Sequence, residues 1–187
     1  MNFNLQRFAD PVKGDKIIYL VRRYSKRTEE GAAVIALQTE GSRSLSKDAD
    51  SVATKDGTIR VPGAGECEIS VTSLVTNDDG IADDLTEAME KNDLMEIWEV
   101  DTSKKGVDTN AEKYKARYHQ GYITSLELSA GAEDFAELSQ TYSINGMGVS
   151  GWVTLTQEQK DLVQYLFADT TQQRNSSKAG EEKWKSM

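Results

Sequence analysis

The chain has 187 residues, a formal net charge of −9 and 37% hydrophobic residues. That length fits one domain with room for arms and suffices for a real core. The acidic balance argues against a free-standing nucleic-acid binder, whose affinity comes mostly from neutralising phosphates, and no apolar run approaches the roughly 20 residues that span a bilayer.

The start of the chain lacks the apolar segment of a signal peptide, so residence in a cytoplasm is expected. Residues 1–12 show no clear period over their length and read as an N-terminal arm. Lys16 to Arg23 alternates as a first strand, with Ile17, Tyr19 and Val21 on one face. Ser25 to Glu30 reads as a charged turn and Ala33 to Thr39 as a second strand. Gly41 to Asp50 is polar and reads mostly as loop. Lys55-Asp56-Gly57-Thr58 is a strong turn signal between two short strands, Ser51 to Lys55 and Thr58 to Val61. Pro62-Gly63-Ala64-Gly65 then breaks the run. Glu66 to Leu74 alternates cleanly, with Cys67, Ile69 and Val71 in phase.

Ile81 to Asn92 is the one stretch with a helical period before the C-terminal region. Ile81, Leu85, Ala88 and Met89 fall on one stripe. Asp78 and Asp79 stand where caps belong, Asp83 and Asp84 suit the positive end of the dipole, and Asn92 suits the left-handed residue that ends helices. A helix of three turns is too short to stand alone, so it is expected to lie over β-structure.

Leu94 to Val100 reads as a strand covered on both faces, with Leu94, Trp98 and Val100 opposite Met95 and Ile97. Tyr118 to Ser129 places Tyr118, Tyr122, Leu126 and Leu128 in phase. Between them, residues 101–117 carry no core pattern and are expected to form a long hairpin loop, a length that in compact domains signals function. Phe135 to Asn145 alternates around Leu138, Tyr142 and Ile144, and Val149 to Leu155 alternates again. Thr156-Gln157-Glu158-Gln159 is a capping box opening a short helix over 157–168, with Leu162, Val163 and Leu166 inward. From Thr170 the chain is polar. These elements predict a mainly β fold, an antiparallel sandwich or barrel with one flanking helix, as a single domain over 13–169 between arms at 1–12 and 170–187.

Charge is blocked along the chain. Residues 78–101 hold ten acids and one lysine, residues 13–27 six basic groups and one acid, and residues 104–117 five basic groups and two acids. Such blocks form solvated faces or complementary patches on stacking copies. Cys67 and His119 are the only residues of their kinds, too few for a disulfide or the usual zinc site. Cys67 reads as a small buried hydrophobe, and His119 as a surface or hydrogen-bonded residue. Gly146-Met147-Gly148-Val149-Ser150-Gly151 fits G-x-G-x-x-G, but strand-patterned residues follow where a dinucleotide site needs a helix. It reads as a glycine-rich hairpin turn. No catalytic residue, cofactor site or metal site emerges.

Three stretches carry a resemblance. Met1-Asn2-Phe3-Asn4-Leu5-Gln6-Arg7-Phe8-Ala9 resembles a leader on virion proteins of phages and prophages of Gram-positive bacteria. Gly121 to Gly131 and Ala136 to Gly151 resemble the major tail, or tail tube, proteins of long non-contractile phage tails. The resemblance implies a non-enzymatic virion protein, assembled in the host cytoplasm into stacked hexameric rings through which DNA passes. Its implied partners are itself and tape-measure, tail-tip and tail-terminator proteins, with no cofactor. It would make residues 101–117 the hairpin that reaches a neighbour, with Lys104, Lys105, Lys113, Lys115 and Arg117 as contacts. The alternatives are a head decoration or head–tail joining protein or, from another class, a small nucleotide-binding oxidoreductase.

Overall fold

A computed structural model describes residues 13–76 and 80–163. The strands are β1 (Ile17–Arg23), β2 (Ala33–Val34), β3 (Gln38–Thr54), β4 (Gly57–Leu74), β5 (Met95–Lys105), β6 (Tyr114–Ser129), β7 (Glu137–Ile144) and β8 (Val149–Val153); the helices are α1 (Ile81–Glu90) and α2 (Gln157–Val163). They form one sheet in the order β2-β1-β5-β6-β7-β4-β3, with β8 also paired to β6. Every pairing is antiparallel. The expected mainly β architecture with a flanking helix is therefore present.

The sheet curls until β1 and β3 approach, but no ladder closes the seam. The Gln38 side chain bridges it instead: Oε1 accepts from Tyr19 N at 3.3 Å and Nε2 donates to Tyr19 O at 3.2 Å. One core lies inside the curl, where Tyr19, Val21, Ile69, Val71, Ile97 and Tyr142 meet Leu85 and Ala88 of α1. A second lies on the opposite face of β1, β5 and β6, built from Ile18, Leu20, Val100, Tyr114, Ala116 and Leu155. β1 and β5 are thus covered on both faces, which is why Ile17 to Val21 is a continuous apolar run and Met95, Ile97, Trp98 and Val100 of β5 occupy both phases.

The helix signals hold where they are described. Asn92 takes φ +54°, Asp93 N donates to Ala88 O at 2.8 Å and Asn92 N to Met89 O at 3.2 Å, the two bonds of a Schellman stop. Asp78 and Asp79 lie outside the described residues. At α2, Thr156 N donates to Gln159 Oε1 at 2.9 Å and Gln159 N to Thr156 Oγ1 at 3.2 Å, a reciprocal capping box. The expected continuation of that helix to residue 168, and the directions of Leu162, Val163 and Leu166, lie outside what is described.

Several expectations need correction. Ala33 to Thr39 is not one strand: β2 ends at Val34 and β3 begins at Gln38, with Leu37 at φ +48° between them. Residues 41–50 are strand, not loop, and β4 runs unbroken through Pro62-Gly63-Ala64-Gly65. Residues 44–64 of that hairpin are solvated on both faces, so no alternation betrays them. Only β3 flanks β4 at Pro62, so its missing N–H breaks no ladder on the other side. The loop expected at 101–117 shrinks to residues 106–113, because β5 extends to Lys105 and β6 begins at Tyr114. In β6 a register shift between Ile123 and Ser125 reverses the phase: Ile123 before it and Leu126 after it both face the core, Tyr122 is exposed on the opposite face, and Leu128, in phase with Leu126, is exposed near the end of the strand. The glycine-rich segment is not a hairpin turn either. β7 and β8 lie end to end along β6, with Ile144 opposite Gly121 and Val149 opposite Tyr118. Residues 145–148 are therefore an outward bulge within one strand path, with Gly146 at φ +73° and Gly148 at +70°.

Candidate assembly interface

The β3–β4 hairpin leaves the body as an arm. Its ladder runs from Leu45–Cys67 to Thr54–Gly57, about 30 Å at roughly 3.3 Å per residue. Every residue from Ser44 to Ala64 is exposed. Opposite Asp48, β4 carries two residues, Gly63 and Ala64, between the Lys47–Gly65 and Ala49–Pro62 pairs. That bulge bends the arm midway. Beyond it Val52 faces Ile59, and these two with Leu45 and Val61 are 44–52% exposed. Four β-branched or large apolar residues on a solvated arm form a surface that gains from a partner. Among the described residues β3 pairs only with β4, so its outer edge presents free backbone groups along its length.

The root of the arm is anchored. Arg43 Nε donates to Glu99 Oε2 of β5 at 2.6 Å. The Tyr19 ring packs on Gly41, where a Cβ would stand 2.5 Å from ring carbon Cε2. Burial and Glu99 push the Tyr19 hydroxyl up to about 12, so it stays a neutral phenol. Above the root, between β1 and β3, lies a cleft of about 870 Å³.

A second protrusion is the β5–β6 hairpin, where the sequence-predicted contact residues sit. Lys104 and Lys105 end β5 and are exposed; Lys113 precedes β6. Lys104 Nζ lies 2.8 Å from Asp101 Oδ2. Lys115 Nζ stands 5.2 Å from the Trp152 ring centroid. Arg117 differs in kind: its NH2 donates to Met147 O at 3.1 Å and holds the glycine-rich bulge to the body. The five share one hairpin but not one environment. Sequence reasoning missed the β3–β4 arm, and its signal was the Asp56-Gly57 turn flanked by two polar stretches of near-equal length.

The charge blocks meet largely within one subunit. Arg23 is buried, and its NH2 donates to Asp84 O at 2.7 Å and to Glu87 Oε2 at 2.9 Å, while NH1 lies 3.6 Å from Asp93 Oδ2. Lys26 Nζ reaches Asp84 at 3.0 Å. Lys91, then Arg23, hold the Glu87 carboxyl below the usual carboxylate range. On the other face of the sheet Arg22 Nε donates to Glu96 Oε2 at 2.9 Å, and Tyr118 Oη donates to its other oxygen at 2.7 Å. The helix acids therefore clamp α1 onto β1 and are not simply a free solvated face.

Chemistry is sparse. Among the described residues no group of three or more His, Cys, Asp or Glu is placed to hold a metal ion. Cys67 is buried as expected, and burial pushes its thiol up, away from nucleophilic reactivity. His119 is not at the surface: it is 1% exposed and neither ring nitrogen has a hydrogen-bond partner. Strand β8, not a helix, follows Gly148, so a pyrophosphate would find no helix N-terminus there.

A curled antiparallel sheet with a projecting arm that exposes apolar side chains and a strand edge is the architecture of a protein suited to association. Comparison with known proteins makes this specific: residues 11–149 match the phage tail tube protein family, and the chain belongs to it. It is 32% identical over 160 residues to a putative tail protein of Staphylococcus phage phiMR25, covering 84% of this chain and 81% of that protein. It is 30% identical over 149 residues to the tail tube protein gp17.1* of Bacillus phage SPP1, covering 79% of this chain and 55% of that longer protein. Its fold is similar to a hybrid structure of the SPP1 tail tube, with TM-score 0.68, 21% identity and coverage of 89% and 96%. The chain is a non-enzymatic component of a phage tail.

Proposed function

We propose that copies of this chain form hexameric rings that stack into the hollow tail tube, the conduit for DNA during ejection. The observation that carries this reading is the β3–β4 arm, whose exposed apolar residues and free edge do nothing for a lone subunit. The arm reaches a neighbouring subunit and the β5–β6 tip, with Lys104, Lys105, Lys113 and Lys115, makes the next contact. Residues 1–12 and 170–187 act as arms that lock rings together around the domain at 13–169. Tape-measure, tail-tip and terminator proteins bound the length and ends of the tube. DNA passes without specific binding, which suits an acidic chain.

Negative-stain electron microscopy over a concentration series tests the reading. Hollow striated tubes or six-fold rings are expected from the purified chain, alone or with tail-tip proteins. Replacing residues 47–65 by a short turn is expected to leave a folded monomer and no tubes. Persistent monomers of the intact chain, even with tail-tip proteins present, would defeat the proposal.

A further inference from the structure

The cleft between β1 and β3 is the feature the fold does not use. It is floored by apolar side chains, among them Ile17, Ile35 and Leu37. Leu37 is 57% exposed and held at φ +48°. The cleft is flanked by the free outer edge of β3, where Thr39 to Arg43 line its wall. Little of β1 is left to pair. Tyr19 N and O are taken by Gln38, Tyr19 O also accepts from Ile35 N at 3.1 Å, and Leu20 and Val21 pair with β2. Such a slot offers an apolar floor and, along β3, the unpaired backbone of a site for an added strand.

We propose that this cleft takes residues 1–8 of a second copy of the chain, added as a strand antiparallel to β3. The inference rests on the assembly reading above. Twelve residues give no period over their length, yet the first six alternate: Met1, Phe3 and Leu5 against Asn2, Asn4 and Gln6. One side of such a strand is apolar for the cleft floor and the other polar for solvent. The segment carries Arg7 and no acid, while the cleft wall carries Asp15, Glu40 and Glu99 against Arg43 alone. The signs are complementary.

The strand order explains why the segment comes from another copy. Successive antiparallel pairings make β3 run opposite to β1. Gly14 and Asp15 stand at the cleft, and the 3-10 turn after Lys13 leads straight into β1. A segment folding back from its own Lys13 would run opposite to β1 and so parallel to β3, the weaker ladder. The residues nearest the turn include Pro11, which has no N–H to donate. A segment arriving from a second copy is free to enter antiparallel to β3.

The test mixes two single variants, Leu5→Cys and Thr39→Cys, and oxidises them after assembly; native Cys67 is buried and stays apart. Neither variant alone can form the internal link. Disulfide-linked heterodimers in the tubes are the expected result. Tubes without that cross-link overturn the docking proposal and leave the assembly reading standing. So does a double variant, Leu5→Cys with Thr39→Cys, that links only within one chain. Phe3→Asp is expected to raise the concentration needed for tubes by about tenfold or more, with unchanged circular dichroism. Tubes at the same concentration as wild type would also overturn it. A wild-type chain that forms no tubes even with tail-tip proteins defeats the assembly reading itself.

Discussion

His119 shows how a single side chain can set a pH limit. Its ring is buried with no hydrogen-bond partner among the described residues, and Arg43, Arg117 and Glu99 act on it through their charges. Burial, with those cations, lowers its pKa from 6.5 to about 4. Between those values the unfolded chain binds a proton that the folded chain refuses. Stability is therefore fully present above about pH 6.5 and is lost as pH falls towards 4, by up to about 3 kcal/mol. Urea unfolding at pH 7 and at pH 4.5 should show that loss, and His119→Phe should reduce it. Gly121 is constrained by backbone. A Cβ there would lie 2.2 Å from Ser143 O and 3.0 Å from Ile144 Cα. Neither atom can yield without parting β6 from β7, so Gly121→Ala is expected to cost about 2–3 kcal/mol in thermal or urea unfolding.

At the scale of elements, two attachments are separable. α1 adds two buried residues, Leu85 and Ala88, to the core and is pinned by Arg23. Arg23→Met removes the cation from among Asp84, Glu87 and Asp93 and leaves their like charges together. Those carboxylates keep contact with water, which discounts the loss to about 2 kcal/mol. Amide exchange should quicken across residues 81–90 before it does in β4 or β7; uniform quickening would mean that α1 does not open separately. At the other end, Thr156→Ala removes one half of the capping box and should weaken α2 by about 1 kcal/mol. Gln159 also donates to Ala32 O at 2.6 Å, so the loosening should reach the connection between β1 and β2.

For the whole molecule, the question is which surfaces face copies of itself. The arm from Ser44 to Ala64 carries three basic and three acidic residues, so its contacts should depend weakly on salt. The β5–β6 tip is basic, and its contacts should weaken as ionic strength rises. Changing Lys104, Lys105 and Lys113 to Gln is expected to raise the concentration for assembly several-fold in low salt and to leave subunit stability within about 0.5 kcal/mol. Light scattering at two salt concentrations would check this; an unchanged threshold in both would remove the tip from the interface.

Local chemistry was legible wherever one residue's neighbours in sequence are also its partners in space. The α1 stop at Asn92, the capping box at Thr156 and Gln159, and the turn at Asp56-Gly57 all follow from i to i+5 relations that any chain must satisfy. Strands with one buried face, such as Cys67 to Leu74 and Leu138 to Ile144, announced themselves by alternation. The resemblance carried by Gly121 to Gly151 pointed to the family. Only the tertiary structure decided the rest. A solvated arm has no buried face, so residues 41–50 looked like loop and a projecting hairpin was expected at 101–117 alone. A one-residue shift at Thr124 brought Leu126 to the core face while Tyr122 stayed on the opposite one, and period alone cannot register an inserted residue. The glycines at 146–148 mark positive φ in either a turn or a bulge, and only the positions of β7 and β8 along β6 distinguish the two. Charges distant in sequence, Arg23 with Asp84, Glu87 and Asp93, pair because curling of the sheet lays α1 beside β1, a relation that no local pattern encodes.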